Sequence, residues 1–470
     1  MRLSPSSAML NTLWLFLVVL SIVLGGFTGK LDAVTNGAFA AAKDSLLSIA
    51  LPLAGMMSFW LGFLRLAEVS GLVRVLASVL QPLLGRLFPT VPPGHPALGS
   101  MVMNMAANML GLGNAATPLG LRAMRDLETL NPHPGTATNA MCTFLAINTS
   151  SIQLIPATAV AILASQGSRQ ATAIVGTAFL ATCVSTLVGI FTVKLLEGLP
   201  AFRVPEPTPS AGEKSAPPVV TGPDSTALAD PPAPSRAGTF LLGLLAFVGL
   251  ILAVLMLSPQ VIEPLLVPLR SAGVLSDKFP EQLLPQSLRE QNGVSRTVGI
   301  LSLLAIPYTL AFFTAYAAAR GVKVYEEFIH GAREGWDVAL RIFPFLVAIL
   351  VAVRMFRESG GIDLLALLLS PVLQPLGVSP ELLPLILIRP LSGSATTGLF
   401  TELVTRWGPD SLLARTAATI FGSTETTFYV LAVYFGAVGI RRGRHALAAG
   451  LLADGAGAFA SIAICRWMFS

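Results

Sequence analysis

GLGNAATPLG (Gly111–Gly120) and RPLSGSATTG (Arg389–Gly398) stand far apart in a chain of 470 residues, yet they read as two versions of one segment. Each interrupts apolar sequence with Gly, Pro and uncharged polar residues. Each is followed by a second polar cluster, NTSSIQ (Asn148–Gln153) after the first and STETT (Ser423–Thr427) after the second. Upstream of both stands the pentapeptide VLQPL, at Val79–Leu83 and at Val372–Leu376. Pro52 matches Pro344, Gln81 matches Gln374, Gly113 matches Gly393 and Thr149 matches Thr424. The spacing between matched positions shortens along the chain, so the first copy carries the longer internal loops. Two diverged copies of a unit whose apolar segments are broken by Gly, Pro and polar groups point to a binding site between membrane repeats.

Composition supports the membrane setting. Hydrophobic residues make up 53% of the chain and charged residues 12%, about half the charged share of a soluble domain, and the mean hydropathy is +0.73. Runs such as Leu13–Leu24 and Phe240–Met256 are continuous, which excludes the dyad alternation of an outer-membrane barrel. The expected fold is therefore an all-α polytopic membrane protein. The net charge of +5 is no nucleic-acid signature, because Lys and Arg fall mainly in loops and at span ends. Cys142, Cys183 and Cys465 are isolated and form no metal or disulfide pattern. The histidines, His95, His133, His330 and His445, are too scattered for a zinc site. No metal and no cofactor is expected. Gly111–Gly113 is not a phosphate loop, since no strand precedes it and no Walker lysine follows.

Spans of roughly 20 apolar residues are expected at Leu13–Phe27, Leu46–Leu66, Ala171–Leu195, Thr239–Leu257, Val298–Ala319, Ala339–Met355 and Ala446–Met468. The first follows Arg2 but lacks a small-x-small cleavage site, and reads as a retained helix with a cytoplasmic N-terminus. Shorter apolar stretches, at Leu72–Leu87, Ala97–Leu112, Ala140–Ile147, Ile152–Ala164, Leu364–Leu376, Leu382–Ile388, Leu412–Phe421 and Phe428–Val438, read as half-helices, re-entrant hairpins or interfacial helices. Such elements survive in a bilayer only where protein or a wet cavity covers their backbone. The Pro/Ala/Ser-rich segment 200–237 reads as a disordered linker between a membrane unit at 1–199 and another at 238–470. The repeats are placed at about 42–196 and 331–468, and 259–296 is a second extramembrane region of opaque role. Whether the copies run parallel or inverted is open at this point.

The residues that carry the repeat resemble a known family. MNMAANMLGLGNAATPLGLRAM (Met103–Met124) with NTSSIQLIP (Asn148–Pro156) looks like the signature of the spore maturation protein A family. IRPLSGSATTGLF (Ile388–Phe400) with GSTETTFYVLAVYFGAVGIRR (Gly422–Arg442) looks like that of spore maturation protein B. The chain resembles a fusion of the two, both members of the nucleoside-recognition, or Gate, domain family. That domain is similar to parts of concentrative nucleoside transporters and of the membrane region of the ferrous-iron transporter. The resemblance implies two Gate-type repeats with broken helices in the bacterial inner membrane, and suggests a nucleoside-like solute. For the separate proteins it also implies a role in spore-core dehydration.

Candidate site residues follow from the two copies. In the first, Asn104 and Asn108 share a helix face, Asn114 and Thr117 flank the break, and Asn148, Thr149, Ser150 and Gln153 line the second cluster. In the second copy Ser392, Ser394 and Thr397 repeat the chemistry without Asn, and Ser423, Thr424, Glu425 and Thr426 form the second cluster, with Arg389 just before the break. Such groups, with the backbone amides freed at a break, can hold a neutral polar solute. The structural alternative is that small polar residues only hold helices together. Glu425 costs roughly 2.5–3.5 kcal/mol to insert on translocon scales and so needs a partner, a proton or a cation; Arg389 and neighbouring Thr hydroxyls are the candidates. It stands where the first copy has Ser150, so the site is asymmetric. Asp454 is a weaker candidate of the same kind. Glu402 with Arg406, and Arg122 with Asp126, are expected as i,i+4 pairs, and Arg441–His445 as a cytoplasmic loop.

The leading expectation is a transporter or permease for a small polar solute. The competing class is a membrane factor that organises protein partners, and metal permeation is a third reading, weakened by the lack of ligand clusters. No enzyme is expected, for want of a nucleophile–base pair, paired catalytic carboxylates or a metal motif. The expected partners are the bilayer, a small polar solute and further copies of the chain, with no nucleic acid.

Overall fold

The computed structural model describes residues 5–202, 235–258, 267–268, 271–273, 276, 284–289, 293–364, 367–368, 371 and 377–469. The second VLQPL, Val372–Leu376, lies outside them, as do the linker between 203 and 234 and most of 259–292. The described residues are α-helical apart from loops, short 3-10 turns, one π turn and an isolated bridge between Thr136 and Arg442. Among them six helices are long and apolar enough to cross a membrane: Leu31–Val69, Ala171–Glu197, Gly238–Leu257, Gly293–Ala319, Val324–Glu358 and Ala446–Phe469.

The chain opens with α1 (Pro5–Thr28), followed by α2 (Leu31–Asp44), a π turn (Ser45–Ala50) and α3 (Leu51–Val69). Proline has no N–H to donate and crowds the carbonyl four residues back. The wider π turn just before Pro52 lets the rod continue through it. Then come α4 (Leu72–Leu87), α5 (Pro96–Met109), α6 (Gly113–Glu128), α7 (Asn139–Thr149), α8 (Ala157–Ser165) and α9 (Ile174–Glu197). Two spans, α10 (Arg236–Leu257) and α11 (Gly293–Ala319), separate this set from a second. The second set is α12 (Val324–Glu358), α13 (Leu383–Ile388), α14 (Gly393–Trp407), α15 (Leu412–Ser423), α16 (Thr427–Ala437) and α17 (Ala446–Phe469). The short elements follow the expected half-helices closely, except for Leu364–Leu376, most of which lies outside the described residues. Two expected spans are longer than their apolar runs: Leu46–Leu66 belongs to a rod that starts at Leu31, and Ala339–Met355 to one that starts at Val324. The extra turns are the polar ones, KDS at Lys43–Ser45 and YEEFIHGAREG at Tyr325–Gly335, which an apolar count leaves out.

The rods α2–α3 and α12 are equivalent, with Pro52 and Pro344 near corresponding heights, and they pack on each other in opposite directions. Gly37 faces Arg354 and Glu358, Gly62 faces Phe328, and Gly335 faces Met57 and Ser58. At Gly335 a methyl group would overlap the Ser58 backbone. Arg65 closes the seam with Glu327 at 3.1 Å. Both rods end in the same cap. Ser70 and Ser359 return their hydroxyls to the carbonyls of Ala67 (3.2 Å) and Phe356 (2.7 Å), and Gly71 and Gly360 then take φ of 78° and 85°, the left-handed region that favours glycine.

The same relation holds elsewhere. The loop after α6 meets the loop after α16, where Ala137 N–H donates to Arg442 C=O at 3.0 Å. The loop after α14 meets the loop after α8, where Ser168 Oγ and Arg169 N–H donate to Asp410 at 2.7 and 3.0 Å. Equivalent loops thus exchange partners. With the equivalent rods antiparallel, the pseudo-two-fold axis lies across the rods and the repeats are inverted. Large side chains such as Phe191, Phe240 and Leu250 point outward, while Ser, Thr, Asn and Gly fill the interfaces, as lipid solvent favours.

Candidate functional site

Four breaks converge where the repeats meet: between α5 and α6, α7 and α8, α13 and α14, and α15 and α16. A helix end inside a bilayer exposes backbone groups that must be paired, and the breaks pair one another. Glu425 N–H donates to Thr149 C=O at 2.7 Å, which joins the two repeats directly. Leu154 N–H donates to Met109 C=O at 3.0 Å, and Phe428 N–H to Pro390 C=O at 2.9 Å.

In the first repeat amides and hydroxyls complete the pairing. Asn104, fully buried, donates to Ala116 C=O at 2.7 Å and to Tyr434 Oη at 3.2 Å. Asn108 Nδ2 donates to Asn148 Oδ1 at 2.9 Å, and Asn148 Nδ2 donates back to Phe144 C=O at 2.9 Å. Ser150 C=O accepts from Thr182 and Thr186 of α9, at 3.1 and 2.5 Å, and Ser151 C=O accepts from Thr182 at 2.7 Å. Thr149 and Ser150 return their hydroxyls to Ala146 C=O at 3.0 and 2.8 Å. Thr117 lies near the start of α6 and has an interaction partner of its own. The side chain of Asn114 lies outside the described residues.

In the second repeat a cation does this work. Arg389, buried, directs Nη2 to the carbonyls of Phe421 (3.0 Å) and Thr424 and Nη1 to Thr426 Oγ1 at 3.3 Å, with its guanidinium 5.0 Å from the Phe421 ring centre. Five donors in a planar fork suit it to an array of carbonyls. Ser392 caps α14 by accepting from Ala395 N–H at 3.2 Å. Thr397 donates to Gly393 C=O at 3.0 Å, Ser423 to Ile420 C=O at 3.0 Å, and Ser394 is partly buried in the first turn of α14.

Glu425 belongs to both halves. Its Oε1 accepts from Gln153 Nε2 of the first repeat at 2.8 Å, and its Oε2 is 4.0 Å from Arg389 Nη2. Its side chain is 39% exposed whereas that of Arg389 is 6% exposed, so the carboxylate reaches open space while its counter-ion is sealed. Asp454 on α17 accepts from Thr427 Oγ1 at 2.6 Å and is 7% exposed.

The two expected i,i+4 pairs are not formed. Glu402 pairs with Arg357 of α12, Arg406 pairs with Glu381 at 3.3 Å, and Asp126 accepts from Ser100 Oγ at 2.6 Å. In each case the tertiary partner comes from a neighbouring element that a helix-surface rule does not see. Sequence reasoning also missed Thr182, Thr186 and Tyr434. The Thr pair was signalled by two hydroxyls four residues apart in an apolar span.

An apolar cavity of about 380 Å³ lies beside the first repeat's breaks, lined by Trp60, Leu72, Met109, Leu154, Ile155 and Phe313 among others. Its lining does not include the Glu425–Arg389–Gln153 cluster. The polar crossing, with paired main-chain ends and a reachable carboxylate, is the chemically competent feature.

A family model described as nucleoside recognition (Gate) matches residues 50–193 and 339–441, more than half of the chain and one segment per repeat. Spore maturation protein B of Bacillus subtilis (strain 168) is 47% identical over 169 residues, which are 36% of this chain and 95% of that protein. Spore maturation protein A of the same organism is 42% identical over 177 residues, 38% of this chain and 90% of that protein. The two alignments cover different parts of the chain. No solved structure matches it.

Proposed function

The chain belongs to the nucleoside-recognition (Gate) family of multi-pass membrane proteins, and from that premise we propose that it binds and moves a small, neutral, hydroxyl-bearing solute, nucleoside-like in class, across the bacterial inner membrane. The observation that carries the proposal is the crossing itself. Broken helices of two inverted repeats are tied by the Glu425–Thr149 backbone bond, and Glu425 is held between Gln153 and Arg389 with over a third of its side chain exposed. Half-helix ends gathered at one crossing supply oriented dipoles and main-chain groups for a solute. A carboxylate flanked by a carboxamide accepts from two sugar hydroxyls while the amide supplies a donor. The protein is a binder and carrier in this reading, not an enzyme.

A second reading, a membrane factor that assembles partners for envelope or spore maturation, has one observation in its favour. Asn104, Asn108, Asn148, Ser150 and Thr397 already spend hydrogen bonds inside the protein, as structural groups do. Thermal shift and calorimetric titration of a nucleoside and small-solute panel on wild type and Glu425→Gln separate the two. Transport predicts a ligand that stabilises wild type and loses at least about tenfold in affinity, about 1.4 kcal/mol, in the variant. An unresponsive wild type with a variant of equal stability sinks the solute site and leaves partner assembly.

A further inference from the structure

The charges at the crossing do not balance. Arg389, Glu425 and Asp454 act on one another electrostatically, one cation against two carboxylates. Glu425 has Arg389 at 4.0 Å, donation from Gln153 and contact with open space. Asp454 has much less. It lies on α17 between Gly450, which rests against Thr427 and Thr149, and Gly457, which rests against Thr424 and Ser185. Among the described residues these neighbours from α7, α9, the α15–α16 break and α16 bring hydroxyls and no charge, so the only charged groups acting on Asp454 are Arg389 and Glu425. Its Oδ2 takes the single bond from Thr427, and its Oδ1 is buried with no hydrogen-bond partner. An unpaired carboxylate oxygen in that setting is far more costly than an unpaired hydroxyl.

We propose that Asp454 is a proton-carrying group of the crossing: its buried Oδ1 holds a proton that neutralises the second carboxylate while the breaks are closed on each other. Release of that proton leaves an uncompensated negative charge beside Thr427, the first residue of α16, and weakens the closed arrangement. The positive end of the α16 dipole and Arg389 are then the groups that draw the bare carboxylate toward themselves. Solute passage, on the carrier reading above, is thereby linked to a proton. The proton leaves to water or to a base on the solute, and no electron transfer is involved.

The test is infrared spectroscopy of the purified full-length protein, following the C=O stretch of a protonated carboxyl group. Folded wild type should show such a band at neutral pH, lost reversibly on alkaline titration, and its thermal midpoint should fall over the same pH interval. Asp454→Asn should lack the band and that interval, while Glu425→Gln, which leaves Arg389 facing one carboxylate, should still lose its band reversibly but at lower pH than wild type. Should Asp454→Asn fail to fold, Thr427→Val serves in its place, because loss of the only bond to Oδ2 must shift both the band and its pH midpoint. No band in folded wild type, a band that persists in Asp454→Asn, or a band untouched by Thr427→Val overturns the proposal. Disappearance of the band on adding Na⁺ at constant pH also overturns it, since the site would then belong to a metal cation. The band is read without solute, so a missing solute leaves this result intact, and a missing band leaves solute binding untouched.

Discussion

The two repeats close the same backbone defect with different chemistry. Around Asn148–Gln153 the broken ends are satisfied by amides and by the Thr182 and Thr186 hydroxyls, all neutral. Around Ser423–Thr427 they are satisfied by one guanidinium that reaches two carbonyls and a hydroxyl. The neutral solution spreads its stability over many bonds of about 0.5–1.5 kcal/mol each. The charged one concentrates it in a single side chain, and creates a field that Glu425 and Asp454 must answer. Symmetry therefore belongs to the scaffold, and asymmetry to the chemistry.

The largest effect should come from removing the cation. Arg389→Met strands the carbonyls of Phe421 and Thr424 and leaves Glu425 without its counter-charge, a loss of about 2–6 kcal/mol from the two unpaired buried carbonyls, seen as a large fall in the thermal midpoint of purified protein. A change under about 1 kcal/mol would show that the second break does not rest on charge. Next is the seam that both repeats share. Gly335→Val drives a side chain into the Met57–Ser58 backbone and should cost about 1–3 kcal/mol as overpacking, measured by the same melts. If Val is accommodated without loss, the rods are not in the close contact described.

Asn104→Ala probes the neutral side. It unpairs the buried Ala116 carbonyl and should cost about 1–3 kcal/mol, less than Arg389→Met. The reverse order would break the comparison. The smallest effect concerns an extramembrane contact. Burial pushes the Asp410 carboxyl up, but bonds from Arg169 N–H and Ser168 Oγ, with the Arg415 charge, outweigh it and hold the group below the usual carboxylate range. A folded-state value depressed in this way gives stability that is present above the unfolded value of about 3.9 and lost as pH falls through the folded value. Asp410→Asn should thus lower the melting temperature slightly at neutral pH, where that contribution is lost, and match wild type at pH values below the folded value, so that the acid limb of the profile is flatter.

Much of the architecture was legible because lipid imposes strict rules. Continuous apolar runs gave spans, and runs cut by Gly and Pro gave half-helices, so α4, α7 and α15 fall close to their expected places. The doubled GNAAT and GSATT breaks marked the convergence point for the same reason. Inversion was not legible, because nothing in a repeat's residues states which way its rod points. That emerged only from pairs such as Gly37 with Glu358 and Gly62 with Phe328. The partners of Glu402 and Asp126 were also hidden, since the i,i+4 rule ranks neighbours on one helix and ignores a closer group on the next. Gln153 was named as a site residue, but its bond to Glu425, made across 272 positions, depends on how the breaks cross.

The seam between α2–α3 and α12 has a thermodynamic consequence. A contact surface that maps onto itself under a two-fold can be tilted in either sense with the same change in contacts. To first order, the two tilted forms of the scaffold are then equal in free energy. Only what breaks the two-fold can set their ratio, and the strongest such element is the charge triad that the first repeat lacks. Since about 1.4 kcal/mol is a factor of ten in population, a single bond gained or lost by Arg389, Glu425 or Asp454 would shift the ratio of the two tilted forms about tenfold.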